Sequence, residues 1–501
     1  MAIRSILKGG SQLVAGQIAN QVSSFVRNLI IARLVSPADF GIAATFGMTL
    51  SLMEMLSNVA AEMLLVQSPD GNDPGLQQTA QLMRALRGTL NAVILLLIGG
   101  PMAHLFGVPN ARWAFECLAI FPFAKGFSNL DMYRVQREMR FWPSVIVDTG
   151  SSVLVTIAAL PLAFWLRNYA VMLWVLVMQA VFSAVASHLV ADRRYGWKWD
   201  KVNATRIMNF GWPLLINGIL LFGIFEGDRL IIGSANRLFH RSVFTLADLG
   251  VYSVAFMIVM APSILVSNIN NSLFLPVLSK VQDDRVGFER EYSFSLQVIA
   301  FLGVLITVPM VLGGEWAISF LYGNKYSGVG DFIGCLAIAW GVRAFRVAPT
   351  VAAIAKGDTR NAMYANILRS LALVGMVIAA ALGGGLWWIA LSGLVGELLA
   401  LAATVIRLNH KGTVHLSVFY KPFAIFAGTL ALTTVTAAFG IPHMGVLPIA
   451  AASLLMLSVC VFALLLVFPH LRDDALHLIQ MRRAPDPHPA DTAVAVMEEV
   501  V

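Results

Sequence analysis

Charge is scarce in this sequence. Only 13% of its 501 residues are Asp, Glu, Lys or Arg, about half the share found in soluble domains, and that excludes a large water-soluble protein. Cysteine is scarcer still: Cys117, Cys335 and Cys460 are the only three, each within an apolar run. Three scattered thiols exclude a disulfide framework and give no metal-ligand spacing, so neither a metal nor another cofactor is expected. The phosphate-cradling pattern GxxxxGK[ST] is missing, so the chain is not an ATP-driven pump by itself. Behind Arg4 and Lys8 no short apolar core runs into a small-residue cleavage site, and no removed signal peptide is expected.

Apolar residues fill the space that charge leaves. They make up 58% of the chain, and its mean hydropathy is +0.75. A bilayer span must satisfy its own backbone, so this composition predicts an all-α, polytopic membrane protein. Runs of about 20 apolar residues place spans near 12–33, 40–66, 86–106, 113–133, 143–166, 169–190, 210–233, 249–277, 294–313, 331–354, 363–382, 386–408, 422–440 and 446–468. That makes about fourteen, of which the first and seventh are the most polar. With the N-terminus in the cytoplasm, 23 of the 35 Lys and Arg fall in inside segments and six in outside ones. The positive-inside rule then predicts both termini in the cytoplasm. The net charge of +7 is an orientation signal, and nucleic acid is not an expected partner.

One stretch organises the rest, Ser11 to Ile42, SQLVAGQIANQVSSFVRNLIIARLVSPADFGI. Gln17, Asn20, Gln21, Ser24, Arg27 and Asn28 recur at helical steps on one side, and Leu13, Ile18, Val22, Phe25, Leu29 and Ile30 occupy the other. Lipid can face only the second side, so the polar stripe must meet protein or a water-filled cavity. The stretch then recurs: NLIIA and ADFGIAATF are answered by DRLIIG and ADLGVYSVAF near residue 230. HLFG at 104–107 matches FLYG at 320–323, and CLAI at 117–120 matches CLAI at 335–338. A repeat of six spans enters the membrane twice in the same direction, so the halves are expected to be related by an axis along the membrane normal, with a pathway between them. The expected organisation is one six-helix lobe over 1–200 and a second over 201–410. Two appended helices over 411–470 and a largely disordered cytoplasmic tail over 471–501 complete it.

The polar first helix, the SPADFGI turn, its recurrence in the second half and the six-plus-six-plus-two pattern resemble the polysaccharide transporter family. These are the oligosaccharide-lipid flippases of the multidrug/oligosaccharidyl-lipid/polysaccharide exporter superfamily. The resemblance runs from Ile6 to Phe468 and is diffuse, with no single diagnostic motif. It implies two lobes in a V around a central cavity, in a bacterial inner membrane. It implies as substrate an undecaprenyl-pyrophosphate-linked oligosaccharide, moved from the cytoplasmic to the outer leaflet for exopolysaccharide, capsule or O-antigen assembly. Membrane lipids, a polysaccharide polymerase and its chain-length machinery are the partners it admits.

An anionic, hydrated pyrophosphate calls for fixed cations with hydroxyl-matching groups beside them, and arginine presents paired donors to phosphate. The cations inside spans are Arg27, Lys125, Arg229, Arg343, Arg346 and Arg369. Arg343 and Arg346 share one face of the tenth span with Thr350, and two cations on one face invite an anion. Arg27 and Arg229 hold nearly matching places in the two repeats, each beside a polar residue, Asn28 and Asp228. Arg27 either lines the cavity or reaches back to the outer interface; Arg229 either meets the ligand or pairs with Glu226 and Asp228. Lys125 and Arg369 read as structural. Asn270 and Asn271, with Ser263 and Ser267, form a stripe that either matches sugar hydroxyls or joins helices. Glu54 and Glu62, beside Ser51 and Asn58, are ion-coupling candidates unless an arginine takes them up. A drug or cation exporter of the same superfamily is the nearest alternative, and it would favour carboxylates over arginines. A polysaccharide polymerase is the alternative from another class. It calls for a long external loop with catalytic groups, whereas the longest expected here, 234–248, carries no such set, so catalysis is not expected.

Overall fold

The computed structural model describes residues 2–412 and 414–469, with the backbone alone at 2–11, 13, 14, 213, 216, 217 and 331. Every regular element among them is helical, as expected for a chain whose backbone must satisfy itself in lipid. The long helices are α1 (Ala2–Leu34), α2 (Pro37–Ser57) and α3 (Pro74–Leu105). The stretch α4 is broken into Arg112–Cys117 and Ile120–Gly126. Then follow α5 (Trp142–Leu166), α6 (Ala170–Leu189), α7 (Lys201–Leu238), α8 (Leu246–Lys280) and α9 (Arg285–Tyr322). The last five are α10 (Gly330–Ala355), α11 (Thr359–Ala381), α12 (Leu386–His410), α13 (Leu416–Ala438) and α14 (Val446–Val467). Among the described residues, eleven helices are long and apolar enough to cross a membrane; α1, the α4 stretch and α7 lie outside that set.

Three expected spans are not single straight helices. The fourth, over 113–133, is broken at Leu118–Ala119, one turn ahead of Pro122, which lacks a backbone donor and crowds the carbonyl of Leu118; after Gly126 the chain resumes as a separate helix, Asp131–Gln136. The second, over 40–66, stops at Ser57 and resumes as Ala61–Gln67, with Ala60 left-handed at φ 49°. Asn58 holds the break: its Oδ1 accepts from the Ala60 N–H at 2.9 Å and from Arg87 Nη1 at 3.0 Å. The fifth begins with a wide turn over Ile146–Gly150. The expected tail over 471–501 lies outside the described residues.

The repeated motif has a structural meaning. Ser36 caps α2 by accepting from the Asp39 N–H, and Thr245 caps α8 in a reciprocal box with Asp248. Two residues past each Asp stand Gly41 and Gly250, and the two motifs meet each other. A Cβ on Gly41 would lie 1.9 Å from the Leu246 carbonyl oxygen, and one on Gly250 2.0 Å from that of Pro37. Only glycine permits that approach. Helix α2 of the first half packs on α8 and α7 of the second, and one buried apolar cluster runs through both halves. Helices α13 and α14 lie against α9 and join a second buried cluster confined to the C-terminal half.

Candidate functional site

Helices α10, α11 and α12 pack on one another, and the contact is close because Gly396 lets α11 in. A Cβ there would come within 2.6 Å of the Ala372 Cβ and 3.0 Å of the Arg369 carbonyl. The next residue, Glu397, is 3% exposed, and three guanidinium groups converge on it. Arg369 Nε lies 2.5 Å from its Oε1, Arg343 Nη1 3.5 Å from Oε1 and Arg346 Nε 3.5 Å from Oε2. Arg343 and Arg346 come from one face of α10, three residues apart. Arg343 also stacks on Phe225 and Trp340, at 4.5 and 4.8 Å to the ring centroids, which partly shields a largely buried cation.

Burying four charges is expensive unless each is paired and hydrogen-bonded. This cluster is not balanced: three cations against one anion leave it at +2. Nor is it satisfied, since Arg343 Nη1, Arg346 Nε, Arg369 Nη1 and both Glu397 oxygens are buried without an aligned hydrogen-bond partner. A cavity of about 50 Å³ adjoins it, lined by Arg369, Glu397, Asp228, Tyr252, Phe256 and Trp340. An excess of cations over counter-charge is the chemistry that suits a compact, multiply charged anion.

Asp228 lines the same cavity, and Arg229 follows it on α7. Asp228 accepts from the Tyr252 hydroxyl at 2.8 Å and from the Arg229 N–H at 2.7 Å. Arg229 reaches Glu226 at 2.8 Å, donates to the Phe225 carbonyl at 2.8 Å and lies over the Phe256 ring. Arg27 is placed elsewhere, donating to Gln179 on α6 at 3.1 Å and to Ser24; the neighbouring Asn28 is half-buried. Asn270 is fully buried with neither side-chain polar atom bonded. Asn271 is exposed and donates to the Ser267 carbonyl, and Ser267 to that of Ser263, so these two bond along their own helix. Glu54 pairs with Lys125 at 2.9 Å and Glu62 with Arg84 at 2.8 Å.

Sequence reasoning reached Arg343 and Arg346, read Arg369 as structural and missed Glu397. Two signals could have found it. A lone carboxylate in LSGLVGELLALAATV is costly enough to demand a partner. The offset of 218 between the two CLAI segments also sets LVGE at 394–397 on LVMQ at 176–179, since 397 − 179 = 218. The first-half counterpart of Glu397 is therefore Gln179, the neutral partner of Arg27.

A family described as polysaccharide biosynthesis protein matches residues 30–331. The succinoglycan biosynthesis transport protein ExoT of Rhizobium meliloti (strain 1021) is 23% identical over 376 residues, covering 72% of each chain. Among solved structures, the lipid II flippase MurJ in an inward closed conformation aligns with a TM-score of 0.62 at 12% identity, covering 91% of this chain and 99% of that one. An inward-facing multidrug resistance MATE family transporter of the MOP superfamily also gives 0.62 at 12% identity, covering 78% and 95%. Identities this low speak for the fold: the helices are arranged as in that superfamily.

Proposed function

This chain belongs to the polysaccharide biosynthesis protein family, and on that premise we propose that it is a flippase for an undecaprenyl-pyrophosphate-linked oligosaccharide. It would carry the repeat unit from the cytoplasmic to the outer leaflet of a bacterial inner membrane, by alternating access of two six-helix lobes. The observation that carries the reading is the arginine cluster on Glu397. Three buried guanidinium groups exceed their one counter-ion, which suits an anionic head group and repels a cationic drug. A transport relative in exopolysaccharide synthesis and a flippase fold support it. On this reading Asp228 and Arg229 would extend the site in the second half, and Arg27 and Asn28 would meet the ligand from the first.

The test is the double change Arg343→Ala with Arg346→Ala. The protein should still insert, while polymer output falls at least about tenfold, the equivalent of ~1.4 kcal/mol of lost binding in the transport step, and the lipid-linked glycan accumulates. Lysine at both places should restore part of the output, since charge returns without the paired donors. Normal output from the double alanine protein at normal abundance would refute the assignment.

A further inference from the structure

We propose that Glu397 fixes the charge of the arginine site, so that it selects a diphosphate esterified at both ends over one esterified at a single end. This rests on the reading that the site holds the carrier's diphosphate. A diphosphate bearing lipid on one phosphorus and sugar on the other keeps one strongly acidic oxygen on each, and it is a dianion throughout the physiological pH range. With the sugar removed, the terminal phosphate has a second ionisation near that of a phosphate monoester, at about pH 6, so the bare carrier approaches a trianion at neutral pH.

The site can tell these apart because its own charge is fixed. Arg343, Arg346 and Arg369 contribute three positive charges and Glu397 removes one. A dianion brings these four groups to neutrality, whereas a trianion leaves them at −1 in a water-poor interior; with Asp228 counted beside them the totals are −1 and −2. The other groups facing the cavity push the same way. From α7, Asp228 lines it directly, while the Arg229 guanidinium is taken up by Glu226. From α8 comes the neutral Tyr252, bonded to Asp228. The two carboxylates nearest the ligand thus both oppose a third phosphate charge. At an effective dielectric constant near 20, one unit charge a few ångströms away changes affinity by more than about tenfold. The consequence is directional: the loaded carrier fits, and once its glycan has been transferred the bare diphosphate is disfavoured and is not drawn back.

The experiment measures binding to the purified full-length protein in lipid nanodiscs. Two probes are used: geranyl diphosphate, with one ester, and its P2-glucosyl derivative, with two. Wild type should prefer the two-ester probe at least tenfold at pH 8, and the preference should shrink at pH 5.5, where the terminal phosphate of geranyl diphosphate regains its proton. Glu397→Gln should bind geranyl diphosphate at least tenfold more tightly than wild type at pH 8 and lose most of the preference; Glu397→Asp should keep it. An unchanged ratio in Glu397→Gln overturns the proposal and leaves the flippase reading standing. A wild-type ratio that stays flat between pH 5.5 and 8 overturns it with no variant needed, should the glutamine protein fail to fold. If both probes bind equally to wild type and to the Arg343→Ala, Arg346→Ala protein, the assignment of the site itself falls.

Discussion

At the scale of single residues, what counts is whether a buried charge has found its partner. Arg343 and Arg346 were legible because two cations on one helix face call for an anion. Their protein partner was overlooked, because hydropathy averages one glutamate away in a 25-residue apolar helix, and only the cost of a lone carboxylate marks it. Arg369 looked structural for the same reason: a cation with an unseen neighbour. Outside the spans the rule acts in water and can be read by pH. Asp358, in the turn between α10 and α11, takes both Nε and Nη2 of Arg407, at 2.9 and 3.1 Å, and Lys411 at 3.0 Å. These hydrogen bonds, with the charge behind them, hold its carboxyl below the usual range. A lowered folded-state pKa gives stability that is complete above the unfolded value near 4 and is lost as pH falls through the folded value. In detergent, Asp358→Asn should therefore melt roughly 1–3 °C below wild type at pH 7. The gap should narrow as pH falls through the folded value and close at an acid pH where the carboxyl is protonated and both proteins lack the carboxylate. An equal gap at both pH values would mean that the pair does not carry the difference.

At the scale of helices, the sequence shows where elements recur better than where they break. ADFG and ADLG were visible as a repeat; that the two copies touch through Gly41 and Gly250 was not, since contact between halves leaves no mark in periodicity. The interruption ahead of Pro122 has a sequence signal, but the one at Asn58–Ala60 depends on Arg87, which comes from another helix. The glycine crossing supplies its own control. Gly41 and Gly47 stand on the same helix, yet a Cβ at Gly47 meets nothing within 4 Å. Gly41→Val must force α2 from the first turn of α8, because the obstacle is a carbonyl oxygen that no rotamer can move. A strain of even ~1.4 kcal/mol shifts a conformational equilibrium tenfold. Gly41→Val is thus expected to cut polymer output about tenfold or more with the protein still inserted, and Gly47→Val to leave it within about twofold. Equal effects of the two would show that the crossing does not matter for transport.

At the scale of the whole molecule, composition carried the all-helical fold class, while the number of crossings is where hydropathy runs short. Eleven described helices are long and apolar enough, and the stretches outside that set, α1, α4 and α7, were the first, fourth and seventh expected spans. Stripes facing protein escape a scale built for lipid, and α1 and α7 carry the polar residues that lower their hydropathy. Parity turns this into a measurement. If all three cross, fourteen spans return the chain to the side from which it started. If none does, eleven leave its two ends on opposite faces. Lys198 discriminates only where one of α1 and α4 crosses without the other, because four or six crossings before it give the same side. Arg237 and Ala484 discriminate for α7, since one crossing by α7 flips both. At 38 residues and 1.5 Å per residue, α7 is about 57 Å long, ample for a bilayer core of about 30 Å. Reporter tags at Gly10, Lys198 and Ala484 should therefore read cytoplasmic, with one at Arg237 external and one at Ser36 external for α1. A cytoplasmic Arg237 with an external Ala484 would remove α7 from the membrane, and with it the six-span repeat that sets one lobe against the other.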